Sequence, residues 1–198
     1  MTYYDYPTEL WSEILPGLFQ GGTDDYDVIG ASSPGDFGTG YFGRKAAADG
    51  GACRVTRSHF DSVYTLYARA NAASWNVKEI RYGFADGDMS DFSPEDDLGL
   101  LVREAHRDWK SGKRVLIRCQ AGLNRSGLVM ALVLIRDGHT PAEAIDLIRA
   151  GRGSAALCNY TFERWLLESA DLEFWRAGVE QNLDTKVSQG ADNLQVEG

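Results

Sequence analysis

Residues 114–135 read RVLIRCQAGLNRSGLVMALVLI, and no other part of the chain restricts its fold so tightly. Two apolar runs are joined by one short polar loop. VLIRC (115–119) is too short for a helix and reads as a buried strand. SGLVMALVLIRDG (126–138) is apolar nearly all round, so it is expected as a central helix covered on every side. A strand that feeds such a helix needs neighbouring strands beside it and other helices around its partner. That requirement points to an α/β architecture.

The rest of the chain supplies those neighbours. SEILPGLFQGG (12–22) reads as strand, Pro-Gly turn, strand, and the β-branched and aromatic segments FDSVYTLYA (60–68) and VKEIRYGFA (77–85) read as further strands. Ser93-Pro94-Glu95-Asp96 opens a helix, with Ser as cap, Pro at its first position and acids in its first turn. Leu98, Leu101, Val102, Ala105 and Trp109 recur at helical spacing before Gly112 stops it. Thr140 to Glu143 forms a capping box for the next helix, which is expected to stop near Gly151. Residues 159–175 supply the last of four helices. The expectation is a three-layer α/β sandwich with a central mixed, mostly parallel sheet of about five strands flanked by helices.

Residues 1–180 are expected to form one domain. Residues 30–58, rich in Gly, Ser and Ala, are read as a loop-rich insertion, and 184–198 as a frayed tail. Within the insertion, Phe37, Tyr41 and Phe42 either stack on a substrate ring or pack the insertion onto the body.

The net charge of −9 over 198 residues argues against broad nucleic-acid or anionic-membrane binding. No run of ~18 apolar residues marks a membrane span, and the N-terminal residues lack the pattern of a secretory signal. The three cysteines, Cys53, Cys119 and Cys158, show no metal-binding or disulfide spacing, which fits reduced thiols in the cytoplasm. No metal and no cofactor is expected, and the chain is expected to be a monomer.

The chemistry concentrates at the strand-to-helix junction. Spacing alone does not identify it, because Cys158 and Arg164 repeat the Cys119–Arg125 separation at an ordinary helix start. Context separates the two pairs. Gly122 permits a tight turn, so the amides of Gln120, Ala121, Gly122, Leu123 and Asn124 can curl around one centre. The helix that begins near Ser126 directs its positive end there. Arg125 adds a planar fork that can grip two phosphate oxygens. A cradle of that polarity favours the thiolate of Cys119, the form that attacks phosphorus. The Ser126 hydroxyl can hydrogen-bond the sulfur and help it leave again.

CQAGLNRSG, with VLIR before it, resembles the signature of the cysteine-dependent protein tyrosine phosphatase superfamily, and specifically its dual-specificity branch. EILPGLFQGG resembles the opening strands of that branch. AIDLIRAGRGSAALCNYTFERWL resembles its closing helices, with Asn159 at the family's asparagine before an aromatic residue. The resemblance does not extend to residues 30–58. It implies a phosphomonoester hydrolase that works through a phosphocysteine, on a phosphorylated protein or a small phosphomonoester. It also implies a general acid from an upstream loop, and FADGDMSDFS offers Asp86, Asp88 and Asp91. The family's spacing of acid, Asp or Asn, and Ser fits Asp86, Asp91 and Ser93. Arg118 occupies the family's histidine position, where it either adds positive field at the sulfur or points away.

Other functions use related parts. A rhodanese-type sulfurtransferase carries a cysteine in an anion loop but needs no upstream acid. A phospho-binding module without activity would lack Cys119 or Arg125. The closest rival is an RNA 5′-phosphatase of the same superfamily, whose relatives often have Asn before the arginine. A polyphosphate end calls for extra cations, however, and positions 120–124 carry none.

Overall fold

The structure is a computed structural model that describes residues 4–7, 9–23, 55, 57–90 and 92–177. Five strands form one sheet: β1 (Trp11–Leu15), β2 (Leu18–Gly21), β3 (Ser62–Thr65), β4 (Lys78–Arg81) and β5 (Val115–Arg118), in the order β1-β2-β5-β3-β4. β1 and β2 are an antiparallel hairpin, turned by Pro16 and by Gly17 at a φ of 80°. The β2–β5, β5–β3 and β3–β4 pairs are all parallel. This is the mixed, mostly parallel sheet expected from the sequence. The order places β5, the strand leading to Cys119, in the middle of the sheet, between two parallel neighbours that are reached by crossover connections.

Among the described residues there are five helices: α1 (Pro94–Lys110), α2 (Arg125–Arg136), α3 (Pro141–Arg152), α4 (Tyr160–Glu168) and α5 (Leu172–Arg176). The expected last helix is two. α4 ends at Ser169, and the Asp171 carboxylate then caps a new start by accepting from the amides of Glu173 and Phe174. The capping box of α3 forms as expected, with both Thr140–Glu143 bonds in place. α1 begins differently. Ser93 holds the cap position, but its hydroxyl donates to the Asp96 carboxylate and its amide donates to Asp97. The acids of the first turn therefore satisfy the cap residue.

The strand alternation divides the core. Leu18, Tyr64, Val115, Ile117 and Cys119 face the main cluster, to which all five helices contribute. Val63 and Leu116 face the other way, with Val55, Phe60, Ala73 and Val77 against them. Among the described residues no helix contributes to that second cluster. α2 runs through the main cluster with every residue from Arg125 to Ile135 buried. At roughly 1.5–3 kcal/mol for each fully buried large aliphatic side chain, this helix is a chief source of the core's stability. It also fixes the position of its own N-terminus, where the loop from β5 arrives.

Candidate active site

The loop between β5 and α2 is held by its carbonyls. Gln20, buried in β2, donates from Nε2 to the carbonyl oxygens of Gly122 (3.1 Å) and Leu123 (3.3 Å). Arg152, the last residue of α3 and 1% exposed, donates from Nε to the same Gly122 oxygen at 3.1 Å. Its other nitrogens reach the carbonyls of Glu9 (2.8 Å) and Leu10 (3.1 Å) and the Ser12 hydroxyl (3.2 Å). The Gln120 carbonyl accepts from the Thr23 amide at 2.9 Å, and the Leu123 carbonyl accepts also from the Leu157 amide. With carbonyls drawn outward, the N–H groups turn the other way. None of the amides from Gln120 to Ser126 donates a hydrogen bond within the described residues. Such a run of free amides, closed by a helix N-terminus, suits an anion.

Glycine is required at 122. Its φ is 73°, and a Cβ would press on the Gly21 carbonyl carbon and lie 2.5 Å from the Gly22 nitrogen.

Cys119 follows β5 directly and is 1% exposed, and its sulfur lies 3.3 Å from the Ser126 hydroxyl oxygen. Arg125 is the first residue of α2 and is 9% exposed. Its Nη1 donates to the Phe84 carbonyl at 3.2 Å, while its Nε has no partner among the described residues. The guanidinium carbon lies 5.2 Å from the centroid of the Tyr67 ring. Beside it opens a cleft of about 300 Å³, lined by Tyr67, Arg69, Phe84 and Arg125 among others.

The three candidate acids separate. Asp86 reaches the loop. One carboxylate oxygen accepts from Asn124 Nδ2 at 3.1 Å, and the other accepts from Asn159 Nδ2 at 2.9 Å. Asp88 instead closes a local turn, accepting from both the amide and the hydroxyl of Ser90. Those bonds hold its carboxyl below the usual carboxylate range. Asp91 lies outside the described residues, as do Phe37, Tyr41, Phe42 and most of the 30–58 segment.

Asn159 caps α4, accepting from the Thr161 amide, and its own amide donates to Asn124 Oδ1 at 2.9 Å. Arg118 does not join the site. It sits on the opposite face of β5 from Cys119, 4% exposed, donating to Thr65 Oγ1 (2.9 Å), the Asn71 carbonyl (2.6 Å) and Glu79 (3.1 Å). Burial alone would raise the Glu79 carboxyl. The bonds from Thr65, the Ala73 amide and Arg118 outweigh it and hold the group below its ordinary range.

The sequence reading missed Gln20, Arg152, Tyr67 and Phe84. Gln20 left one trace, as an amide at an inward position of a strand whose neighbour Leu18 is buried. Arg152 left none, because a basic residue in the last turn of a helix ordinarily belongs to the surface. Among the described residues no group of three or more His, Cys, Asp or Glu could hold a metal ion, and no helix is long and apolar enough to cross a membrane.

No protein-family model and no curated protein sequence matches the chain. Solved structures do. DUSP15 is 18% identical with a TM-score of 0.59, covering 86% of this chain and 95% of its own. Human DUSP28 is 16% identical with a TM-score of 0.58, covering 89% and 99% respectively. Orf virus OH1, described as a tyrosine phosphatase with triple substrate specificity, is 17% identical with a TM-score of 0.52, covering 82% and 88%. At identities this low the likeness speaks for the fold. The chain has the α/β fold of the dual-specificity phosphatases, as its sequence signature led one to expect.

Proposed function

We propose that this chain is a phosphomonoester hydrolase of the protein tyrosine or dual-specificity phosphatase type that acts through a phosphocysteine. The observation that carries the reading is the β5–α2 loop, with its outward carbonyls, its amides from Gln120 to Ser126 that donate no hydrogen bond among the described residues, and Cys119 at its base 3.3 Å from Ser126. In the first step the Cys119 thiolate attacks phosphorus as the bond to the leaving oxygen breaks, and Asp86 gives that oxygen its proton. The loop amides and Arg125 hold the equatorial oxygens, where charge is greatest. In the second step Asp86, now ionised, takes a proton from water. The water oxygen bonds to phosphorus and the sulfur departs as thiolate, helped by a hydrogen bond from Ser126.

A phosphorylated protein is the preferred substrate class. Tyr67 and Phe84 line the cleft beside Arg125 and suit a phenyl ring, and OH1, of the same fold, is described as a tyrosine phosphatase. The RNA 5′-phosphatase alternative has less support, since Arg69 and Arg125 are the only cations among the residues lining that cleft. The test is a panel of phosphotyrosine and phosphoserine peptides, inositol phosphates and triphosphate-ended RNA, with Cys119→Ser as the blank. Cys119-dependent hydrolysis of phosphopeptides is the expected result. Hydrolysis confined to RNA ends would establish the alternative, and turnover that survives in Cys119→Ser would overturn both.

A further inference from the structure

Asn124 bonds in three directions at once. Its Oδ1 accepts from the Asn159 backbone amide at 2.9 Å and faces the Cys158 sulfur at 3.4 Å. Its Nδ2 donates to Asp86 Oδ2 at 3.1 Å. The orientation of this amide is not ambiguous. A backbone N–H can only donate, so the atom facing it is the oxygen, and the NH₂ group therefore faces the carboxylate. Asn124 is also a member of the anion loop, immediately before Arg125. One side chain thus ties three parts that are far apart in sequence: the loop that would hold the phosphoryl group, the carboxylate that would protonate the leaving group, and the N-terminus of α4.

Asn159 completes the arrangement. Its Nδ2 donates to Asp86 Oδ1 and to the Gly87 carbonyl, each at 2.9 Å, and the Thr161 hydroxyl donates to the same carbonyl at 2.9 Å. Asp86 is exposed and belongs to a segment without regular structure. The two asparagine amides are its only hydrogen-bond partners among the described residues. Each carboxylate oxygen has two lone-pair directions, so accepting one bond leaves room for a proton on the other.

We infer that Asn124 is a positioning residue for proton transfer. It sets the Asp86 carboxyl at a fixed place relative to the phosphoryl group, with Asn159 as the second anchor. The inference rests on the hydrolase reading above and adds to it: the residue before the arginine acts on the leaving group through Asp86, in addition to lending its backbone amide to the anion. Its side-chain amide is engaged by Asp86, Cys158 and the Asn159 backbone, so its removal should leave oxyanion affinity alone.

The test compares phenyl phosphate, whose leaving group needs a proton, with an activated aryl phosphate whose acidic phenol leaves unaided. Asn124→Ala should slow kcat for phenyl phosphate about tenfold, the rate equivalent of one hydrogen bond to an ionised group, and the activated ester much less. Competitive inhibition by tungstate should stay within about twofold, which also reports an intact loop. Asn124→Ser provides the same comparison if the alanine variant does not fold. In the Asp86→Asn background, Asn124→Ala should add no further leaving-group dependence, because residues that act through one another are not additive. Equal slowing of both esters, weakened tungstate binding, or additivity with Asp86→Asn would each overturn the inference. Failure of the hydrolase reading looks different, because the unaltered protein would then show no Cys119-dependent turnover of either ester. In that event backbone hydrogen exchange at residues 84–90 still decides the coupling: faster exchange in Asn124→Ala supports it, and unchanged exchange overturns it.

Discussion

Arg152 Nε donates to the Gly122 carbonyl oxygen at 3.1 Å, so the last residue of α3 holds the turn of the proposed phosphate loop. The guanidinium is buried, and its other nitrogens bond the carbonyls of Glu9 and Leu10. A single cation thus links the N-terminal segment, α3 and the loop, and it frees the loop amides by taking up a carbonyl.

Arg152→Met keeps much of the volume and removes every donor. It leaves buried carbonyls unpaired, which should lower stability by roughly 2–4 kcal/mol. Arg152→Lys restores the charge but not the fork, and should recover only part of that loss. Urea unfolding measures both, and tungstate affinity should fall alongside. Unchanged tungstate affinity in a folded Arg152→Met protein would mean that Gln20 holds the loop without it.

Arg125→Lys keeps the positive charge and loses the bidentate geometry. If Arg125 grips the transferring phosphoryl group, kcat should fall by about 10²–10³, the scale for removing a preorganised transition-state donor. Steady-state kinetics on p-nitrophenyl phosphate checks this. A near-normal kcat would make the arginine structural, serving Phe84 and Tyr67.

Asp86→Asn should slow phenyl phosphate by about 10²–10⁴ and an activated ester far less. Asp88→Asn should be milder and even-handed, since among the described residues Asp88 bonds only Ser90. If Asp88→Asn were the variant with leaving-group dependence, the roles of the two aspartates would be reversed.

Much of this was legible in the sequence because it depends on local pattern. The all-round apolar character of α2, the Pro-Gly turn before β2 and the Thr140–Glu143 box each specify one structure over a few residues. Cys119, Arg125 and Ser126 were legible for the same reason, as they lie within eight consecutive positions. The family spacing points to Asp86 among the three aspartates, but the contacts that set Asp86 apart come from Asn124 and Asn159, 38 and 73 residues away, and no local pattern reveals them. That Arg118 faces away from Cys119 follows from strand alternation once β5 is placed, but its partner Glu79 lies on β4, two strands away, and only the sheet order brings them together. The split of the last helix comes from Asp171, whose carboxylate caps a new start within an otherwise helical run.

Away from the site, Asp108 predicts how stability depends on pH. Its carboxylate accepts from Lys113 (2.6 Å), Lys78 (2.7 Å) and the Tyr64 hydroxyl (2.8 Å). Burial would raise its pKa, but the two lysines and Tyr64 outweigh that and hold it well below the carboxylate range. A depressed folded pKa gives stability that is full above the unfolded value of ~3.9 and is lost as the pH falls toward the folded value. Asp108→Asn should therefore cost about 2–3 kcal/mol near neutrality, and the gap to the unaltered protein should narrow below about pH 4. Denaturant unfolding at the two pH values checks it. A gap that does not change with pH would assign the loss to packing.

The most direct measurement of the central claim is rapid-quench mass spectrometry of the protein mixed with p-nitrophenyl phosphate. The Asp86→Asn variant should be run beside it, because slower hydrolysis of the intermediate lets it accumulate. The account predicts a phosphoryl group on the Cys119 peptide, unaffected by Cys158→Ser and absent from Cys119→Ser. A phosphoryl group on any other residue, or continued turnover in Cys119→Ser, would contradict it.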